Sequence, residues 1–446
     1  MVEPTDGGTV VHSADIVVPV TSPALRNGAV ATRNGVVLAI GPRETILSTH
    51  RDADEVHWDG VLMPGLVNAH AHLQYHGFAE LGTNRHVGFE AWSVAFDERY
   101  GVAHETENWA AAALAGAHDA IASGTTTIAD ICTDISAINA VPESGLSGIT
   151  FIETLGHTAM AWWTTKRDEF LARLDACRST TAPNFRIGVS PHAPYSLDTD
   201  VLRDLAEESR ACGLRIHTHL AESAFEDEYY RTGTGPLADF VAGFGRRFQI
   251  LTDGGTRKGA AEFARDLGLL GPDSHVAHGI YLDKRGRAIL RETATAVALC
   301  PRSNATIGLD PAPIAAYLRE GNHICVGTDS LSSAPSIDVL EDVRTLSDLA
   351  IEQGYDSPDL APRLVCAATV DGARALGMAE GDGRVGAIEK GARADFAVLG
   401  IDANLDTVEH FIVARGAGSC TSTIIAGERV PAQRPTTQSS AVWQAN

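Results

Sequence analysis

Eight short apolar runs, separated by stretches with helical periodicity, constrain this chain more than any other feature. The runs span 66–70, 126–131, 148–153, 186–190, 214–219, 275–278, 294–300 and 324–329. Helical patterns fall at 109–122, 166–177, 199–212, 284–292, 313–319 and 337–351. Regular strand–helix alternation of this kind predicts an α/β protein, a (β/α)8 TIM barrel, with a doubly wound sheet as the competing topology. The flanks read differently. Short strands at 14–20, 29–33, 36–40, 55–59, 394–399 and 422–425 predict a small β-sandwich built from both chain ends, with a tight hairpin turn at Asn34-Gly35. The expected division is 1–62 plus 383–446 for that composite β domain and 63–382 for the barrel. A chain of 446 residues, 44% hydrophobic and with 43 glycines, suits one large core and a smaller attached domain. Two connections, 74–108 and 224–273, are too long for simple βα loops and are expected to cover a substrate.

The polar residues favour the barrel over the open sheet. His72, Glu153, His192, His219, His278, Arg302 and Asp329 all fall at or just past the ends of these runs, the face where barrel enzymes carry their chemistry. His70 and His72 are two apart on a strand, so both rings project to one side. With His219 and Asp329 they make a three-imidazole, one-carboxylate set suited to one divalent ion, zinc first and iron or manganese as alternatives. His217, on the same strand face as His219, is the weaker alternative ligand. An ion so held can bring the pKa of water down to about 7. Glu222, three residues past His219, is placed to carry a proton to a ring nitrogen without binding the ion; its alternative role is to start the helix that follows. Asp329 would accept the proton of the water, and His278 would orient it.

The net charge of −22 argues against nucleic acid or an anionic membrane as partner. No apolar stretch approaches the roughly 18 residues of a membrane span, and the Met1–Asp6 segment lacks a basic and then apolar signal. A cytoplasmic protein is expected, acting on a small aromatic heterocycle or nucleoside, and a homo-oligomer (a dimer). The seven cysteines form no C-x-x-C pair, which fits reduced thiols with no metal role. A polar tail begins near Gln433.

Four segments resemble the amidohydrolase superfamily, in its aromatic deaminase and chlorohydrolase branch: Pro64-Gly65-Leu66-Val67-Asn68-Ala69-His70-Ala71-His72, Ser190-Pro191-His192-Ala193-Pro194-Tyr195, His217-Thr218-His219-Leu220-Ala221-Glu222 and Gly327-Thr328-Asp329-Ser330. The resemblance implies the same ligand set, Glu222 as proton shuttle and His278 as its assistant. Dinuclear relatives bridge two metals with a fourth-strand lysine. No lysine lies near 186–190, so one ion is implied. Phe89-Glu90-Ala91-Trp92 resembles the segment by which adenosine-type deaminases hold the ribose hydroxyls (Glu90) and wall the base (Trp92), and His192 a nucleoside contact. S-adenosylhomocysteine deaminases carry arginines after the third strand, whereas Gly156–Trp163 has none and suggests an aromatic-walled loop for a planar 5′-substituent. Cys300–Asn304 and Thr328–Ser333 look most like aminofutalosine deaminases of menaquinone synthesis, with Arg302 or Arg85 meeting a substrate carboxylate. The implied activity is hydrolysis of the 6-amino group of an adenine nucleoside, 6-aminodeoxyfutalosine favoured. The alternatives are S-adenosylhomocysteine or methylthioadenosine deamination, guanine or pterin deamination, triazine dechlorination, and an inactive scaffold of the same fold.

Overall fold

The computed structural model describes residues 8–178 and 184–431. The Met1–Asp6 segment and the polar tail from Gln433 lie outside the described residues. The chain opens with β1 (Val10–Val17), β2 (Leu25–Arg33), β3 (Val36–Pro42) and β4 (Asp54–Pro64). Asn34 and Gly35, with φ of 52° and 76°, turn β2 into β3, and Arg33 pairs with Val36. Only residues tolerant of positive φ make this two-residue turn without strain. β4 then pairs on one side with β1, parallel, and on the other with β13 (Phe396–Leu399), antiparallel. β14 (Cys420–Ile425) and β15 (Glu428–Arg429) complete a seven-stranded mixed sheet, ordered β15-β14-β13-β4-β1-β2-β3. Its buried cluster includes Val17, Val30, Leu62, Phe396 and Ile424, so the two chain ends share one core.

The eight apolar runs become β5 (Leu66–Ala71), β6 (Thr125–Cys132), β7 (Ser147–Thr154), β8 (Phe185–Pro191), β9 (Ile216–Leu220), β10 (Ser274–His278), β11 (Ala296–Leu299) and β12 (Ile324–Val326), all parallel and in sequential order. The open doubly wound sheet is thereby set aside, because β12 returns to β5. The carbonyl of His70 accepts the backbone N–H of both Thr328 and Asp329 at 3.0 Å. The Asn68 side chain donates to the Thr328 hydroxyl (2.7 Å) and accepts from its backbone N–H (3.2 Å). Gly327 permits this approach, since a Cβ there would lie 2.7 Å from the Cβ of His70. The last strand stops at Val326, three residues earlier than expected, and Asp329, with φ 60°, keeps only an isolated parallel bridge to Ala71.

The long connections carry their own structure. The first contains a helix at Phe89–Ala103, and the one after β9 contains Glu226–Thr232, Pro236–Gly243, Gln249–Thr252 and Ala260–Asp266. Both descend over the C-terminal mouth of the barrel. No helix among the described residues is long and apolar enough to cross a membrane.

Candidate active site

Ring nitrogens and carboxylate oxygens from the ends of β5, β9, β10 and β12 converge at the barrel mouth. The Nε2 atoms of His70 and His72 lie 3.4 and 3.5 Å from Asp329 Oδ1. Donor atoms of His70, His72 and His219 lie within 4.8 Å of one another, as do those of His70, His278 and Asp329. Neighbouring ligands on one ion with bonds of about 2.0–2.1 Å stand about 3.3 Å apart in a tetrahedron, so this spacing fits a single divalent cation.

The hydrogen bonds around the rings aim the right nitrogens inward. His217 donates from Nδ1 to the carbonyl of His275 (2.9 Å), which leaves its Nε2 to accept from His70 Nδ1 at 2.8 Å. His219 Nδ1 donates to the carbonyl of His192 at 2.8 Å. Both arrangements leave Nε2 unprotonated for a cation, the usual outer-shell device for fixing a tautomer. His70 Nε2 is buried and without a hydrogen-bond partner, an orphan that a bound ion would satisfy. Burial also holds the His70 and His219 rings toward the neutral form and takes the His72 pKa down to about 4. His217 thus stands behind His70, on its Nδ1, while the donor atom of His219 joins those of His70 and His72. Asp329 is held on its other oxygen, Oδ2, by the hydroxyls of Ser303 (2.6 Å) and Ser333 (2.7 Å). Burial works to raise its pKa, but the surrounding imidazoles, His70 foremost, outweigh that and hold it well below the usual carboxylate range.

Glu222 sits beside this group. Its carboxyl is 3.5 Å from His278 Nε2, and His278 Nδ1 donates to Asn304 Oδ1 at 3.3 Å. Burial pushes the Glu222 pKa up to about 7, so near neutral pH it holds or releases a proton readily. It does not start the following helix. That helix begins at Glu226 with no side-chain cap, and Glu226 instead gathers the turn before it, accepting the backbone N–H groups of Ala221 (2.9 Å), Glu222 (2.7 Å) and Ser223 (3.0 Å), and the Tyr230 hydroxyl (3.0 Å). Ala221, His278 and Asp329 all have positive φ (53°, 71° and 60°). Such backbone strain in non-glycine residues gathers at functional sites and needs surrounding structure to hold it.

A cavity of about 320 Å3 opens from His72, His219, Glu222, His278 and Asp329 toward solvent. His192 and Trp92 line it, and the Trp92 indole N–H donates to the Ser332 carbonyl at 3.0 Å. Glu90 does not: it is exposed in the first turn of the Phe89–Ala103 helix and outside the cavity wall, and the helix instead turns Ser93 and Asp97 inward. Arg302 corrects a second expectation. Its guanidinium is bound to Asp342 (2.7 and 3.0 Å), to Ser336 and to Glu341, all away from the cavity. A buried guanidinium must be paired, and Asp342 is itself fully buried, so the two are committed to each other. Arg85 is exposed and outside the wall. The loop Gly156–Trp163 contributes Gly156 alone. Trp162 is buried against Asp204, and Trp163 is exposed. The aromatic wall comes instead from Phe240, Phe244 and Phe248 of the connection after β9.

Glu153, at the end of β7, was legible only as a polar strand end. Thr133 donates to its Oε2 (2.6 Å), the Tyr75 hydroxyl lies 3.2 Å from Thr133 Oγ1, and Oε1 is buried without a partner in the cavity wall.

Residues 61–430 match the amidohydrolase family. The chain belongs to that family. The metal-dependent hydrolytic chemistry expected from the strand-end residues stands with it. The chain is 29% identical over 374 residues (80% of this chain, 76% of the relative) to a 5-methylthioadenosine/S-adenosylhomocysteine deaminase of Haloarcula marismortui. Among solved structures it resembles a zinc-bound adenosine deaminase from Xanthomonas campestris, with a TM-score of 0.76 and 24% identity over 96% of this chain and 93% of that one. It also resembles Helicobacter pylori aminofutalosine deaminase in complex with methylthio-coformycin, with a TM-score of 0.80 and 20% identity over 94% of this chain and all (100%) of that one. At these identities the two structures establish the shared fold.

Proposed function

We propose that this amidohydrolase removes the 6-amino group of an adenine nucleoside, with 6-aminodeoxyfutalosine, an intermediate of menaquinone synthesis, the favoured substrate, in the cytoplasm and as a homodimer. The observation that carries the reading is a buried Glu222, poised to exchange a proton near pH 7, beside a single-ion set of imidazoles and one carboxylate. The activities carried in the relatives' names agree with it. S-adenosylhomocysteine or methylthioadenosine, named for the Haloarcula relative, is the rival substrate.

His70, His72, His219 and Asp329 would hold the ion, zinc being preferred for the nitrogen-rich donor set. When bound, a divalent ion there supplies a water acidic enough to react near neutral pH. Protonated Glu222 donates to ring nitrogen N1 as water adds at C6, which spares the ring a localised negative charge. Asp329 accepts the proton of the attacking water, and its Ser303 and Ser333 partners keep the receiving oxygen aimed at the site. His278 orients that water. Asp329 then passes its proton to the departing amino group, Glu222 takes back the proton of the C6 hydroxyl, and the tetrahedral carbon expels ammonia and leaves the hypoxanthine nucleoside. The free Oε1 of Glu153 takes over the acceptance of sugar hydroxyls that exposed Glu90 does not perform, and His192 and Trp92 flank the nucleoside.

The test is loss of adenine ultraviolet absorbance on mixing the metal-loaded protein with adenosine, methylthioadenosine, S-adenosylhomocysteine and 6-aminodeoxyfutalosine, against guanine, a pterin and a chlorotriazine. Turnover of adenine nucleosides is expected, fastest for 6-aminodeoxyfutalosine. Glu222→Gln should retain the metal and lose about 10²–10⁴-fold in rate, the usual span of general acid–base catalysis. Turnover confined to pterins or triazines sinks the nucleoside reading, and a near-normal rate in Glu222→Gln removes that residue from the proton path.

A further inference from the structure

We propose that Arg246 is a carboxylate-recognition site at the outer end of the cavity, selecting substrates that carry one negative charge on an apolar arm. The inference rests on the nucleoside reading above and names the group that lies beyond the sugar.

Arg246 is the sole lysine or arginine among the residues lining the cavity. It is half-buried, and among the described residues no carboxylate or carbonyl pairs with its guanidinium; its one ring contact is Phe244, 6.0 Å away. Such a vacancy is unusual in a chain with 57 acidic residues against 35 basic ones. Arg210, Arg231, Arg287 and Arg302 have each found a carboxylate. Burial without a partner costs free energy, and its effect on Arg246 is to lower the guanidinium pKa.

The position of the guanidinium is built. Arg246 belongs to the connection after β9 and reaches across the mouth onto Gly156, just past β7. A Cβ at Gly156 would overlap the guanidinium, and Gly156 has φ 79°, so a side chain is excluded there twice over. The cation therefore lies where a third-strand loop without arginines leaves room for one supplied by another loop.

The surroundings define the ligand. Phe240, Phe244 and Phe248 line the approach, which favours an apolar or aromatic arm. A lone guanidinium matches a single carboxylate through its two parallel N–H donors. A phosphate dianion would need further lysines or arginines, and the cavity lining supplies none.

The experiment compares two adenosines that differ only at the end of a 5′-thiobenzyl arm, one with a free carboxylate and the other with its methyl ester. For wild type, kcat/KM should favour the acid by roughly 10- to 100-fold, the usual worth of a charge-assisted hydrogen-bond pair. In Arg246→Met the acid/ester ratio should collapse to within about threefold of unity, and Arg246→Lys should recover part of it. The ratio is taken within each protein, so a general loss of fold or rate cancels. Calorimetric binding of the same pair supplies a readout that needs no turnover. Acid-selective binding without turnover of any adenine nucleoside overturns the deaminase reading and keeps Arg246. Turnover with no acid preference, or a preference that survives Arg246→Met, overturns the assignment of Arg246 and keeps the deaminase.

Discussion

Glu226 offers a sharp test of how the proton-carrying residue is positioned. Its carboxylate collects three backbone N–H groups from Ala221, Glu222 and Ser223, and a hydroxyl from Tyr230. These bonds hold the strained turn at Ala221 (φ 53°) that presents Glu222 to the site. Glu226→Gln keeps the shape but has one acceptor oxygen in place of two. With that oxygen on Glu222 and Ser223, the new NH2 faces the N–H of Ala221, leaving a buried donor unpaired. An unmet buried donor costs about 1–3 kcal/mol and a bond to a charged acceptor about 1.5–3 kcal/mol. Relief comes most easily by relaxing the turn, which displaces Glu222. A displacement worth about 2 kcal/mol in the transition state lowers kcat about 30-fold. The assay is steady-state kinetics on protein of verified metal content. The expected result is full metal loading, kcat down about 10- to 100-fold and KM within about threefold of wild type, because the aromatic part of the cavity wall is untouched. Tyr230→Phe removes a donor but leaves all three amides satisfied, and its kcat should fall by less than about threefold. A fully loaded Glu226→Gln protein with kcat within twofold of wild type would refute the positioning role.

Three further outcomes follow from the same geometry. His217→Leu takes away the acceptor of His70 Nδ1; metal affinity, followed by competition with a chelator, should fall about 10- to 100-fold, and unchanged affinity would contradict the tautomer assigned to His70. Arg302→Met strands the buried carboxylate of Asp342, so denaturant unfolding should register a loss of about 3–5 kcal/mol while the acid/ester preference stays as in wild type; a lost preference would return Arg302 to the substrate. His12, packed between Trp58 and Phe396, has its pKa lowered by burial from 6.5 to about 4. The unfolded chain therefore binds this proton first, and stability falls as pH drops from about 6.5 to about 4, by about 3 kcal/mol at most. His12→Phe should flatten that part of the stability–pH curve, and a curve of unchanged slope would refute the attribution.

Much of the scaffold was legible because its signals are local. The helices at 109–122 and 284–292 appear with those boundaries, and Asn34-Gly35 makes the expected turn. The strands of the site were readable because apolar runs ending in a polar residue leave few alternatives in a barrel. Glu90 shows the limit of a motif: a helix start and a substrate clamp have the same local pattern, and only packing shows which face of the helix meets the cavity. The loop at Gly156–Trp163 shows it again. Its two tryptophans promised an aromatic wall, yet Trp162 is drawn down to Asp204, 42 residues away in sequence.

By itself, the amino-acid sequence determined the alternation of strands and helices, the i, i+2 face shared by His70 and His72, and the set of strand-end residues able to hold one ion. These follow from periodicity, which acts over a few residues. The tertiary structure alone decided what each polar group is paired with. His70 is oriented by His217 across 147 residues, and Arg302 is bound to Asp342 across 40. Arg246 and Glu153 Oε1 are left open to the cavity. The physical reason is that a buried charge or ring nitrogen takes the partner that folding brings within about 3 Å, and no local pattern records which partner that is.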